Sequence, residues 1–403
     1  MKFYLKDKIM LKTINFVLAA NSANSITRVV AEYANALVSR GFKVCISYPV
    51  FSFWDHHAWC VERETNSSPN LISRLYRFLK FWWYILFLAV KTAVKSRSFK
   101  WQGAVIHKLD KRIKLNRFLS LPHAHDLPEA DVMLVMQNYF IPQLLFLPAS
   151  KGKIIGSIHM DYKAMVNDHD ETSRSWWNQF LSIDQQLRVP RFAVSMVAKT
   201  SAEEFGINVE KVIPNGINLE EFNDCGRPVL SNEPLRVMLF CATLPAKGQN
   251  FGCEVVRRLK QIYQNDKVRM ISIGEVKDEY RPLFDENLGY LHQKEYVRAY
   301  QNADIFIYPS LRDGFPAPPL EAMACGCALI TTRVAGLIEY GLHEKNCLMV
   351  EVNDIGGMVE NVKKIIDNED LRKRIQKGGI ETAKEYTWDK SAKRLIDFIN
   401  ILK

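Results

Sequence analysis

The sequence predicts an α/β fold built from two doubly wound parallel sheets. Three observations predict it. Short apolar runs bounded by turn residues recur along the chain, among them VMLVM (132–136), KIIGSI (153–158), LRVMLF (235–240) and VRMISIG (268–274). Segments with helical apolar spacing alternate with them. The alternation is laid out twice, on either side of IPNGINLEEF (213–222), where Pro-Asn-Gly forces a turn.

In the first half, Thr13 to Ala19 predicts a strand. Arg28 to Arg40 predicts a helix, with Val29, Val30, Tyr33, Ala34 and Leu37 on one face and Gly41 closing it. Phe42 to Tyr48 predicts the next strand, and 132–136, 153–158, FAVS (192–195) and Lys211 to Pro214 follow. In the second half, 235–240 leads to a helix over Gln249 to Tyr263, then 268–274, then a helix near 294–302. ALITT (328–332) and CLMV (347–350) complete that set. Trp388 to Leu402 carries helical spacing at Ala392, Leu395, Ile396 and Ile399.

The run ADIFIYPSLRDGFPAPPLEAMACG (303–326) is the candidate site. Asp304 to Tyr308 predicts a buried parallel strand ended by Pro309. Leu311 to Pro318 cannot be regular structure, because Gly314 is permissive and Pro316, Pro318 and Pro319 lack backbone donors. A helix starts near Pro318 or Pro319, which places Glu321 in its first turn. Open α/β sheets bind ligands at that edge, and a helix N-terminus there favours a diphosphate. A first-turn carboxylate suits ribose hydroxyls, or it simply complements the helix dipole.

Composition bounds the rest. The chain has 403 residues, room for two cores. Its eight cysteines contain no CxxC pair, so they form neither a zinc framework nor a disulfide scaffold, and a reducing cytosol fits them. The start, MKFYLKDKIMLK, does not read as a signal peptide. The net charge of +10 is concentrated: Leu71 to Arg117 holds 12 basic residues and one acid, Asp110. Within it lies FWWYILFLAV (81–90), too short for a bilayer, which needs about 20 residues. Aromatics beside dense cations predict an interfacial element on an anionic membrane surface, with a buried core helix as the alternative. No nucleic-acid-binding pattern accompanies the patch. The single DxD, Asp168-His169-Asp170, follows no apolar strand and reads as a solvated loop.

The second half resembles the retaining GT-B glycosyltransferases of the large fourth family. The matching pieces are VIPNGINLEEF (212–222), AKG (246–248), GYLHQKEYVRAYQNADIFIYPS (289–310), DGFPAPPLEAMACGCALITT (313–332), VAG (334–336) and YTWDKSAKRLIDFI (386–399). In the first half the resemblance rests on TRVVAEYANALVSRGFKV (27–44) and IGSIHMDY (155–162). It implies two Rossmann-like domains facing a cleft. Residues 1–213 would bind the acceptor, with the basic insertion at about 71–117. Residues 214–385 would bind a nucleotide sugar, and 386–403 would cross back and act with 213–222 as a hinge.

The resemblance also implies site roles. Glu321 would hold the ribose. Asp313, where the family usually has Glu, would contact the donor sugar with the loop amides after Gly314. Lys247 would neutralise the leaving diphosphate, and its usual arginine partner falls on Cys241. Phe315, Pro316, Leu320, Gly336 and Glu339 would line the donor pocket, Glu339 being equally a first-turn helix charge. His159, after KIIGSI, would be a cleft histidine or a structural one. Asn24 and Ser25 stand where a glycine pair is usual and would cap the helix instead. No metal or cofactor is implied, the donor being a substrate. The expected activity is retaining transfer to a lipid-linked or surface glycan, at the inner face of the cell membrane. The alternatives are a catalytically impaired binding partner in a glycan assembly complex and a sugar-nucleotide epimerase.

Overall fold

The computed structural model describes residues 12–19, 25–49, 108–119, 122–168, 171–227, 234–263 and 267–402. The N-terminal start, the apolar run 81–90 with most of the basic segment, Asn24 and His169-Asp170 lie outside the described residues. The chain divides into two compact units, 1–157 with 169–191, and 158–168 with 192–403.

The first sheet comprises β1 (Thr13–Val17), β2 (Lys43–Pro49), β3 (Lys114–Phe118), β4 (Val132–Val135), β5 (Lys153–Ile158), β6 (Arg191–Ala193) and β7 (Lys211–Val212). Its order is β3-β2-β1-β4-β5-β6-β7. Helices α1 (Ser25–Ser39), α2 (Ile141–Leu144), α3 (Tyr162–Asp168), α4 (Glu171–Asp184) and α5 (Met196–Glu204) lie along the same stretch of chain. Two expectations shift here. Strand β6 ends at Ala193, because Ser195 leaves the sheet to cap α5, its hydroxyl accepting from the Ala198 amide at 3.1 Å. Strand β3 falls inside the segment read as a basic insertion. Its sequence KLNRF is polar and mostly exposed, as suits the edge it occupies beside β2.

The second sheet comprises β8 (Leu235–Cys241), β9 (Val268–Gly274), β10 (Glu286–Asn287), β11 (Ile305–Tyr308), β12 (Ala328–Thr332) and β13 (Cys347–Val350). Its order is β10-β9-β8-β11-β12-β13, and every pairing is parallel. Helices α6 (Gln249–Ile262), α7 (Gln293–Gln301), α8 (Ala317–Ala324), α9 (Ile355–Asp367), α10 (Glu369–Glu385) and α11 (Trp388–Ile401) complete this half. Val255, Val256 and Leu259 of α6 and Met358, Val362 and Ile365 of α9 share one core with Val237, Leu239, Ile305 and Ile307 of the sheet. Burial on both faces is why these strands read as continuous apolar runs.

The strand order places the site. The chain enters at β8, runs outward through β9 to β10, and returns to β11 on the other side of β8. The order therefore reverses between β8 and β11, and their C-terminal ends bound the crevice where doubly wound sheets take ligands. The tail meets 213–222: Ile217 bridges Thr387, and the Ser391 hydroxyl donates to the Pro214 carbonyl at 2.6 Å. Gly216 permits this approach, since a Cβ there would stand 2.2 Å from the Trp388 amide nitrogen.

Candidate active site at the strand switch point

Two loops meet at the switch point. After β8 the chain makes a 3₁₀ turn over Pro245–Lys247 and enters α6 through Gly248. After β11 it runs through Pro309 to Pro316 and enters α8. The Ala246 carbonyl ties the two together, accepting from the Leu311 amide at 2.8 Å and the Ser310 hydroxyl at 3.1 Å. Gly248 has φ +66°, and a Cβ there would meet the Pro309 carbonyl oxygen at 2.0 Å. No other residue suits both that conformation and that contact.

This junction brings a cation and an acid together. Lys247 Nζ lies 2.6 Å from Asp313 Oδ2. The Tyr308 hydroxyl donates to the same oxygen at 2.6 Å, and Ser310 Oγ lies 3.3 Å from it. Lys247 Nζ also reaches the Tyr308 hydroxyl at 3.3 Å. Tyr308 is fully buried, and burial with the adjacent Asp313 carboxylate raises its pKa well above the usual phenol value. It therefore stays protonated and acts as a donor. The side chains of Lys247 and Asp313 keep 23% and 14% of their surface, enough for a ligand to reach both.

Backbone contacts fix the rest of the loop. A Cβ on Gly314 would stand 2.6 Å from the His159 carbonyl oxygen, and one on Gly336 would stand 2.4 Å from the Asp313 carbonyl oxygen. The Gly336 amide donates to that Asp313 carbonyl at 3.1 Å. His159, Gly314 and Gly336 thus stack main chain on main chain, each glycine leaving the room the next strand of backbone needs. His159 keeps partial exposure as a residue, but the desolvation it suffers lowers its pKa to about 4. Phe315 packs on Tyr340 and Tyr386, and the Tyr340 hydroxyl donates to the Pro316 carbonyl. Phe315, Pro316 and Leu320 are buried supports of the loop.

Helix α8 starts at Ala317, one residue earlier than Pro318. Pro318 and Pro319 then remove two of the donors that a helix N-terminus otherwise offers. Glu321 is only 2% exposed. Its Oε2 accepts from Tyr296 at 3.0 Å and Tyr300 at 3.4 Å, and the two hydroxyls lie 2.8 Å apart. The carboxylate is held between α7 and α8 rather than standing free at the edge of the sheet.

Two expectations change here. Cys241 belongs to the core, 1% exposed, with its thiol against Cys253 of α6. The neighbouring thiol and burial push its pKa far above the usual range. Glu339 is in a turn, not in the first turn of a helix, and it accepts from the Met196 amide at the N-terminus of α5. Tyr308, Ser310, Tyr296, Tyr300 and Tyr340 went unremarked in the sequence. The signal for Tyr308 was a phenol closing an otherwise aliphatic and aromatic buried strand, which must find a partner for its hydroxyl.

Two parallel-sheet α/β domains, the second wound outward from β8 and back to β11, define the GT-B class. Within it, residues 226–382 match the glycosyl transferases group 1 family, and the chain carries a domain of that family. An uncharacterized glycosyltransferase of Methanocaldococcus jannaschii is 27% identical over 295 residues, 70% of this chain and 76% of that protein. The N,N'-diacetylbacillosaminyl-diphospho-undecaprenol alpha-1,3-N-acetylgalactosaminyltransferase of Campylobacter jejuni is 25% identical over 197 residues. That match covers 47% of this chain and 51% of the Campylobacter protein. Among solved structures, Anabaena HepE in complex with UDP and glucose has a TM-score of 0.65 at 11% identity, covering 96% of this chain and 99% of that one. At that identity the likeness is one of fold.

Proposed function

We propose that the protein is a retaining glycosyltransferase that moves a sugar from a nucleotide-sugar donor to a lipid-linked or surface-glycan acceptor, without a divalent metal. The observation that carries this reading is the meeting of Lys247 and Asp313 at 2.6 Å over the switch point. A cation suited to a diphosphate stands there beside an acid suited to sugar hydroxyls. Transfer breaks the bond from the anomeric carbon to the leaving phosphate oxygen and joins that carbon to the oxygen of an acceptor hydroxyl, whose proton leaves with the departing diphosphate. Charge builds on the departing diphosphate, where the preorganised Lys247 is most effective. His159, with its pKa lowered to about 4, is neutral at pH 7 and offers a hydrogen bond without adding charge.

The acceptor class is supported by the Campylobacter relative, whose name includes a diphospho-undecaprenol. The basic and aromatic segment 71–117 supports peripheral contact with an anionic membrane at its inner face. Among the described residues, no helix is long and apolar enough to cross a membrane. The test is transfer from UDP, GDP, dTDP and ADP sugars to extracted polyprenyl-linked acceptors in EDTA, with the anomeric configuration of the product read by NMR. A ligand at 100 times its Kd raises stability by about 2.7 kcal/mol. No thermal shift with any of the four sinks the donor reading, and inversion of configuration sinks retention.

A second reading is a donor-binding protein without turnover. It is favoured by Cys241, which puts a core thiol where the resemblance expects a second cation. Donor binding with neither transfer nor hydrolysis would identify it.

A further inference from the structure

We propose that Tyr308 is a positioning residue for donor binding: its buried hydroxyl holds the Asp313 carboxylate so that Lys247 is free to turn to an incoming diphosphate. The inference rests on the nucleotide-sugar reading above and assigns a role within that site.

One oxygen, Asp313 Oδ2, gathers Lys247 at 2.6 Å, Tyr308 at 2.6 Å and Ser310 at 3.3 Å. Lys247 is the mobile member, a flexible side chain on a 3₁₀ turn with 23% of its surface exposed. Tyr308 is the fixed member. Its ring is fully buried, 5.2 Å from Phe240 and 6.3 Å from Phe306, and its carbonyl accepts from the Thr331 hydroxyl at 3.0 Å. When Lys247 leaves for a diphosphate, Tyr308 still donates to the carboxylate, whereas the single proton of Ser310 is also within reach of the Arg312 and Ala246 carbonyls at 2.9 and 3.1 Å. Without the phenol, that departure would leave a mostly enclosed charge with a single 3.3 Å contact. Lys247 would then stay on Asp313, and the diphosphate would lose its cation.

The test is calorimetric binding of UDP, GDP, dTDP and ADP to the full chain, and whichever binds the wild type is the probe. Tyr308→Phe keeps the ring and its packing, so circular dichroism is expected to match the wild type. Its Kd for the probe is expected to rise about tenfold, the usual scale for one hydrogen bond to a charged group. In an Asp313→Asn background no carboxylate needs holding, and adding Tyr308→Phe is expected to change Kd less than about twofold. A hydroxyl that merely stabilises the fold would cost the same factor in both backgrounds. Equal losses in the two backgrounds, or none in either, overturn the proposal while leaving the nucleotide reading intact. Binding of none of the four nucleotides by the wild type removes that reading and this proposal with it.

Discussion

Lys247 and Asp313 come from opposite sides of the switch point, one after β8 and one after β11, yet share a 2.6 Å ion pair. The pair is neither deeply buried nor freely solvated. A fully buried pair would be locked by desolvation, and a surface pair would be worth little. This one is held in place but can exchange partners with a ligand.

The first consequence concerns the cation. Lys247→Ala removes the cation that pairs with this acid among the described residues, while Tyr308 still donates to Asp313. The fold is expected to survive. Donor kcat/KM is expected to fall by roughly 10²–10³, the scale for one preorganised charge-stabilising group. Steady-state kinetics beside a melting curve check this; an unchanged kcat/KM would remove Lys247 from the chemistry.

The glycine stack yields the second. A Cβ on Gly336 would lie 2.4 Å from the Asp313 carbonyl oxygen and 2.5 Å from the Gly314 carbonyl carbon, so backbone rather than a side chain must move. Gly336→Ala is expected to cost about 1–3 kcal/mol in urea unfolding. It is also expected to raise donor KM, because the displaced loop carries Asp313. Wild-type stability would show that the loop yields freely.

Much of this was legible in the sequence, and the reasons are specific. β11 and β12 announce themselves because both of their faces are buried, so every residue is apolar or small. The Gly-Pro loop between β11 and α8 is likewise legible, because Gly314 and its flanking prolines exclude regular structure there. β3 was hidden because an edge strand tolerates Lys114, Asn116 and Arg117, which erase the strand signal. Tyr308 and the Tyr296–Tyr300–Glu321 cluster were hidden for another reason. Their partners are 5, 21 and 25 residues away, and only the folded crossover brings the hydroxyls to the acids.

His159 gives a pH dependence of stability. Desolvation lowers its pKa from 6.5 to about 4 in the folded protein. Between those values the unfolded chain holds a proton that the native state does not. Stability is therefore complete above pH 6.5 and is lost as pH falls toward 4. Partial exposure reduces the effect, leaving about 1 kcal/mol between pH 7 and pH 5. Urea unfolding at the two pH values, in wild type and His159→Asn, isolates this share from other titrating groups. Identical pH slopes in the two proteins would contradict the assignment.

Cys241 decides whether a missing cation can be restored. Its thiol sits in the core formed by Val237, Leu239, Phe251, Cys253 and Val256, and only 1% of the residue is exposed. An arginine there would bring a long charged side chain into a space filled by a small apolar one, beside Cys253 and with no acid in that core cluster. Burying an unpaired guanidinium and overpacking the core act in the same direction. Cys241→Arg is therefore expected to lose at least about 3 kcal/mol and to gain no activity. Cys241→Ser, close to isosteric, is expected to fold with a smaller loss, about 1–3 kcal/mol for burying a poorly partnered hydroxyl. Chemical denaturation and donor turnover of the two variants separate the outcomes. A stable Cys241→Arg protein with raised turnover would mean that the side chain at 241 reaches the diphosphate after all, and that Lys247 does not act alone.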